Sequence, residues 1–158
     1  MSRIRIAPIV EGHGDNAAVR NLLYRVWTEE VGGEYAEVVQ PIRCKRDRLL
    51  QPDKEDWEKA VRFAVVKLGG VSGGLILILI DAEGDCAKMG ALGPLLLARA
   101  KAVRADADIA CVIANVMYET WFVAAAESLT EYLDLGGKGV PSDPEKAGAG
   151  KGWVKQHM

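Results

Sequence analysis

The chain has 158 residues, of which 49% are hydrophobic and 27% are charged, and its formal net charge is −2. This length and composition predict one soluble globular domain with a substantial core, and they exclude an intrinsically disordered chain. The charge excludes a protein that is basic over its whole surface, so any binding of a polyanion must depend on a local patch or on metal ions. No stretch reaches the ~18 apolar residues that a membrane span requires.

The three cysteines point to a reducing compartment. Cys44, Cys86 and Cys111 are odd in number and lack CxxC spacing, a pattern that predicts free thiols rather than a disulfide framework. The N-terminus alternates like a strand and has no apolar block of the kind that a signal peptide carries. We therefore expect a cytoplasmic protein that makes no membrane contact.

Strands and helices are predicted to alternate along the first half of the chain. A basic stretch that contains Arg43, Lys45 and Arg46 separates its second strand from its second helix. The first predicted elements are a strand at 4–10 and a helix, which Asp15 or Asn16 caps and Gly32-Gly33 ends. A strand at about 36–42 follows, and then a second helix, which Asp53 caps and Gly69-Gly70 ends.

The second half begins with Leu75–Ile80, six consecutive aliphatic residues. Such a run predicts a strand that is buried on both faces, as at the centre of a parallel sheet. The later predicted elements are a helix that begins near Pro94, a strand at 109–114, a helix at 118–133 with Trp121, Phe122, Ala125 and Leu129 facing inward, and a short helix that begins near Lys151.

This alternation predicts an α/β fold with a mostly parallel sheet of about four strands flanked by helices. Residues 1–135 are expected to form this domain. Glycine becomes frequent after Leu135, so residues 136–158 are predicted to be a loop-rich C-terminal extension. Because domains of this class usually continue further, we interpret the extension as truncated or as followed by a disordered tail.

Three carboxylates follow the central strand within five residues: Asp81, Glu83 and Asp85. They repel one another unless a cation lies between them, and their hard oxygen ligands suit Mg²⁺ or Mn²⁺. Ligands of open α/β sheets bind beyond the carboxyl ends of the strands, and Glu11 follows the first strand in the same way. The sequence therefore predicts a site for one or two divalent ions at this edge.

Phosphate-binding groups are predicted beside these acids. Gly12, Gly14 and Gly84 permit tight turns and a close approach of the backbone to a phosphate. The side chains of Arg43, Lys45 and Arg46 follow a strand end and are candidates for phosphate contacts. The alternative for this basic run is an ordinary solvated loop.

Two segments carry a resemblance to a known family. Val10-Glu11-Gly12 and Asp81-Ala82-Glu83-Gly84-Asp85 resemble the two motifs of the Toprim domain, which occurs in topoisomerases, primases, maturation ribonucleases and overcoming-lysogenization-defect nucleases. More narrowly, residues 81–86 together with Tyr118-Glu119-Thr120-Trp121-Phe122-Val123-Ala124 resemble a bacterial Toprim-like family, domain of unknown function 4276. The resemblance extends over about Ile4 to Met158.

The resemblance implies a Mg²⁺- or Mn²⁺-dependent fold for phosphodiester chemistry. Glu11 would be a general base, a general acid or a metal ligand, and Asp81 would be a chelator. The Toprim pattern is Asp-x-Asp, so Glu83 is a departure, and either Glu83 or Asp85 supplies the second ligand. Glu119 matches the family's Glu-x-Trp element and would either join the site or support it.

The resemblance also bears on substrates and partners. Lys151 would offer a positive group to the scissile phosphate, as a late lysine does in some Toprim nucleases, or would be an ordinary surface lysine. We predict a nuclease-like protein that hydrolyses nucleic acid, in a bacterial defence context as for related nucleases, with a partner protein or a second copy of the chain. The alternative is a non-catalytic module that binds metal or nucleic acid together with a partner protein.

Overall fold

The structure is a computed structural model, which describes residues 4–51, 55–70, 72, 74–84, 89–136, 139–146 and 150–158; for His13, Asp15, Ala17, Leu49 and Met89 it describes the backbone only. The backbone divides into two compact units. The first comprises Met1–Ile80 and Gly90–Val112, and the second comprises Asp81–Met89 and Ile113–Met158.

A five-stranded sheet organises the fold, and its strand order is β2–β1–β4–β5 with β3 also paired to β1. Strand β1 pairs in parallel with β2, β3 and β4. The strands are β1 (Ile4–Val10), β2 (Ala36–Val38), β3 (Ile42–Arg43), β4 (Gly74–Asp81) and β5 (Asp108–Ala114). The α-helices are α1 (His13–Arg25), α2 (Arg46–Leu49), α3 (Asp56–Leu68), α4 (Met89–Val103), α5 (Glu119–Ala124) and α6 (Gly150–His157). The predicted α/β fold with a mostly parallel sheet is confirmed as a Rossmann-like arrangement.

Strands β1 and β4 form the buried centre of the sheet. Ile9 and Ile78 are buried on one face of these paired strands, and Val10 and Leu79 are buried on the other, as strands covered on both faces require. The parallel register pairs Val10 with Leu79, so the carboxyl ends of β1 and β4 lie at the same edge. The aliphatic runs thus predicted both strands correctly.

The second predicted strand is interrupted. Instead of one strand at about 36–42, the chain forms β2 and then β3, and Pro41 lies between them. The N–H of Val39 still donates to the carbonyl of Ile6 at 2.9 Å, and the pairing is interrupted before Pro41, which has no N–H to donate to a β-ladder. Pairing resumes at Ile42, which is opposite Ile9.

Two helix starts differ from prediction. Helix α1 begins at His13, so Gly14 lies in its first turn rather than in a preceding loop. Helix α4 begins at Met89, and the exposed Pro94 lies inside it. An internal proline removes one helical hydrogen bond and costs ~3 kcal/mol. Burial of Leu96 and Ala100 on the following turn offsets part of that cost.

The helix predicted at 118–133 is also broken. Helix α5 ends at Ala124, Ala125 leaves the helical region at φ −93° and ψ 6°, and a 3₁₀ turn covers Ala126–Leu129. The inward face also differs from the prediction: Thr120, Val123 and Ala126 are buried, whereas Trp121 and Ala125 are exposed. The predicted inward orientation of Trp121 and Ala125 is therefore wrong.

Two cysteines of the first unit are protected thiols. Cys44 and Cys111 are free, and burial raises the pKa of each from the ordinary 9.0 to about 11. Between pH 9 and pH 11 the thiols of the folded protein keep their protons, whereas the same thiols lose them when the protein unfolds. The free energy of unfolding therefore falls as pH rises through that window.

We expect iodoacetamide to modify Cys44 and Cys111 slowly at pH 8, with a rate that rises about tenfold per pH unit up to pH ~11, because only the thiolate reacts. Peptide mass spectrometry of the native protein measures both rates, and the same protein in urea is the control. Modification at pH 8 as fast in the native protein as in urea would contradict the raised pKa values.

Within the part of the chain that the structure describes, no helix is both long enough and apolar enough to cross a membrane.

Candidate functional site

The acidic segment continues the strand pairing beyond the ends of β4 and β5. Asp81 is the last residue of β4. The N–H of Ala82 donates to the carbonyl of Ala114 at 2.9 Å, and the N–H of Glu83 donates to the carbonyl of Val116 at 2.7 Å. The backbone of the acidic segment is therefore held by the segment that follows β5.

The Asp81 carboxylate is fixed at the start of α5. Its Oδ1 accepts a hydrogen bond from the N–H of Tyr118 at 2.8 Å. Tyr118 is buried, and its ring centroid lies 5.3 Å from those of both Trp121 and Phe122. A carboxylate is favoured beside the unpaired N–H groups at a helix start.

Two residues of this region have unusual backbone conformations. Glu83 has φ +47° and Val116 has φ +59°, and their hydrogen bond joins the two positions. A positive φ is a genuine outlier for a β-branched residue and costs of order 1–3 kcal/mol. Such strain concentrates at functional sites.

The left-handed turn falls on Glu83 and not on the neighbouring glycine. Gly84 has no positive φ, and a Cβ added there would meet nothing within 4 Å. No glycine or asparagine occupies position 83 or 116 to indicate the conformation in advance. The predicted role of Gly84, to allow a phosphate to approach the backbone, stays a prediction.

The strain at Val116 predicts an unusual response to substitution. We expect Val116→Asn to leave the melting temperature unchanged or to raise it, because asparagine adopts the left-handed conformation at lower cost. The matched control is Val112→Asn, at an exposed position of β5, where loss of a β-branched residue should lower the melting temperature by a few degrees. Equal losses in the two variants would contradict strain at Val116.

The first unit contains the other predicted residues near the strand ends. Glu11 is half-buried and follows β1 directly, and its carbonyl accepts a hydrogen bond from Nε of Arg43 at 3.4 Å. Gly12 is the next residue. Lys45 is exposed, and Arg46 is half-buried at the start of α2. Arg43 thus lies beside the backbone of Glu11, and a phosphate-binding role for Arg43 stays a prediction.

Glu119 and Lys151 lie in the second unit. Glu119 is the half-buried first residue of α5, and Lys151 is exposed on α6. Between these helices Gly150 is buried, and a Cβ added to it would lie 3.1 Å from the backbone nitrogen of Thr120. The predicted C-terminal extension therefore packs closely on α5 at this point.

The carboxylates of Asp81 and Glu83 have the donor chemistry that Mg²⁺ prefers. Among the described residues, no three His, Cys, Asp or Glu side chains are grouped to hold a metal ion. Asp85, the third predicted carboxylate, lies outside those residues. A magnesium site at this segment stays a prediction, and it requires Asp85, water or substrate oxygens to complete the ligand set.

Comparisons with known proteins add no relative: no family model, no curated protein and no solved structure matches this chain.

Proposed function

We propose that this protein is a Mg²⁺- or Mn²⁺-dependent hydrolase of nucleic-acid phosphodiesters, of the Toprim-like kind, that acts in the cytoplasm. The observation that carries the proposal is the Asp81 carboxylate, which ends a buried strand and is held by the N–H of Tyr118. Directly after it comes Glu83, whose backbone is left-handed. A fixed carboxylate followed by a strained one is typical of a functional site rather than of a solvated loop.

The residues of the chain have distinct roles in this proposal. Asp81 would hold the metal ion together with either Glu83 or Asp85. The bound ion would supply charge neutralisation and Lewis-acid polarisation of the phosphate. Glu11 is assigned the task of accepting a proton from the attacking water.

Positive groups bind the substrate backbone in this proposal. Arg43, whose guanidinium lies at the carbonyl of Glu11, would contact phosphate oxygens, as would Lys45 and Arg46. Lys151 would be a further phosphate contact, and Glu119 would join or support the acidic site. Gly12 would allow a phosphate to approach the backbone closely.

The test is cleavage of plasmid DNA and of structured RNA with Mg²⁺ and with Mn²⁺. We expect cutting by the natural chain, loss of cutting in Asp81→Asn, and unchanged cutting in Glu127→Gln, which removes the charge of an exposed carboxylate on the 3₁₀ turn after α5. Equal residual cutting by all three would indicate a contaminating nuclease and would overturn the proposal.

A second outcome distinguishes the alternative function. If none of the three proteins cuts, but Mn²⁺ raises the melting temperature of the natural chain and of Glu127→Gln and not that of Asp81→Asn, the chain is a metal-binding module without hydrolytic activity.

A further inference from the structure

A cavity of about 350 Å³ opens in the second unit. This volume is at the lower end of the ~300–1,000 Å³ that is usual for small-molecule sites. Its wall combines an indole, an amide, two hydroxyls and two carboxylates, contributed by Trp121, Asn115, Thr120, Ser142, Asp143 and Glu145.

The cavity adjoins the acidic segment. Asn115 lies between Ala114 and Val116, whose carbonyls accept the N–H groups of Ala82 and Glu83. One wall of the cavity is therefore built from the same short segment that holds the backbone of the proposed metal site. A ligand in the cavity would therefore lie next to residues 114–116.

Two side chains of α5 define how a ligand can bind. Thr120 is buried, with 5% of its surface exposed, and it lines the cavity, so its hydroxyl is a polar group that a ligand in the cavity can contact. Trp121 is a large apolar residue that is 37% exposed. An indole at the edge of a cavity offers a face on which a planar ring can stack.

Charge at the rim selects among planar ligands. Asp143 is bound to Lys146, whose Nζ lies 2.8 Å from Oδ2, and this hydrogen bond holds the pKa of Asp143 below its ordinary value. Glu145 adds a second carboxylate, so the rim has more negative than positive groups. Such a rim repels phosphate and attracts N–H donors, including exocyclic amino groups.

We propose that this cavity binds a nucleobase of the substrate, stacked on Trp121 and hydrogen-bonded to Thr120, with preference for bases that carry an exocyclic amino group. The inference rests on the proposed function, in which the phosphodiester binds at the acidic segment. It adds to that function a preference among bases. Adenine and cytosine present such an amino group, whereas thymine does not.

The test measures binding without cleavage. Fluorescence anisotropy of labelled ten-nucleotide homopolymers of A, C and T is recorded in the Asp81→Asn protein, with and without Trp121→Ala. We expect the A polymer to bind more tightly than the T polymer, and Trp121→Ala to weaken its binding about tenfold. The matched control is Tyr132→Ala, which removes another exposed aromatic ring of the same unit and should change binding less than twofold.

A second variant separates selectivity from folding. Glu145→Gln removes one carboxylate of the rim at an exposed position, so we expect the A-to-T ratio to fall while the melting temperature changes by only a few degrees. Binding by all variants with the same affinity for A and T would overturn the inference.

The two proposals fail in different ways. If the natural chain cuts DNA or RNA, but Trp121→Ala cuts every sequence at the natural rate, the pocket proposal fails and the proposed function stands. If the natural chain never cuts, but free adenosine competes with the A polymer only when Trp121 is present, the pocket stands and the hydrolase proposal fails.

Discussion

Asp81→Ala is expected to lower the free energy of unfolding by about 1–3 kcal/mol and to abolish metal-dependent cleavage. Alanine removes the acceptor for the N–H of Tyr118, and a lost hydrogen bond to a charged group, or a lost helix cap, costs about that much. It also removes the proposed metal ligand, so we expect the cleavage rate to fall at least ~10³-fold, as for other removed electrostatic groups. Urea titration and cleavage assays measure the two effects.

Asp81→Asn separates these two roles. The asparagine side-chain oxygen can still accept the N–H of Tyr118, so we expect a loss of stability of about 1 kcal/mol or less. The negative charge is gone, so cleavage and the Mn²⁺-dependent rise in melting temperature should both be lost. Full stability in Asp81→Ala would show that the hydrogen bond contributes nothing, and cleavage by Asp81→Asn would show that Asp81 is not the metal ligand.

Trp57→Ala is expected to lower the free energy of unfolding by about 3–5 kcal/mol, which is the usual cost of emptying a fully buried aromatic site. Trp57 is completely buried on α3, and the guanidinium of Arg99 lies 5.9 Å from the ring centroid. Against a total stability of ~5–15 kcal/mol, this change could leave the protein barely folded. Urea titration at 25 °C, followed by circular dichroism, measures it.

Two further variants test the reason for this effect. Phe63→Ala removes a ring from the opposite, exposed face of the same helix, where Phe63 is 51% exposed and Lys67 lies over it at 5.1 Å. We expect a cost of about 1 kcal/mol or less. Trp57→Phe should cost much less than Trp57→Ala, because within the described residues the Trp57 indole nitrogen is buried without a hydrogen-bond partner. Equal losses for Trp57→Ala and Phe63→Ala would contradict burial as the cause.

Elements with a strong periodic pattern were predictable. Strand β4 contains six consecutive aliphatic residues, and α3 has its buried Trp57, Val61 and Leu68 at helical spacing before the left-handed Gly69. In both cases one local pattern agrees with the burial that the tertiary structure provides. Helix α4 shows the opposite case. Pro94 predicts a helix start, but the helix begins at Met89, because packing of the turns after Pro94 outweighs this local preference.

The candidate site was predictable only in its composition. The acids after β4 and the glutamate after β1 follow from where aliphatic runs end, and the parallel register of Val10 with Leu79 confirms that these strands end at one edge. The orientation of Trp121 was not predictable, because α5 buries the small side chains of Thr120 and Val123 and leaves the larger Trp121 partly exposed, against the usual preference for burying apolar residues.

The sequence by itself determined the buried centre of the sheet and the acidic character of the segment after β4, because hydrophobic periodicity and charge are local properties of the chain. Only the tertiary structure decided that the N–H of Tyr118, 37 residues away, holds Asp81. It also decided that Glu83 and Val116 share a hydrogen bond in left-handed conformations. Local propensity disfavours those conformations for both residues, so they persist only because contacts between distant segments outweigh the local cost.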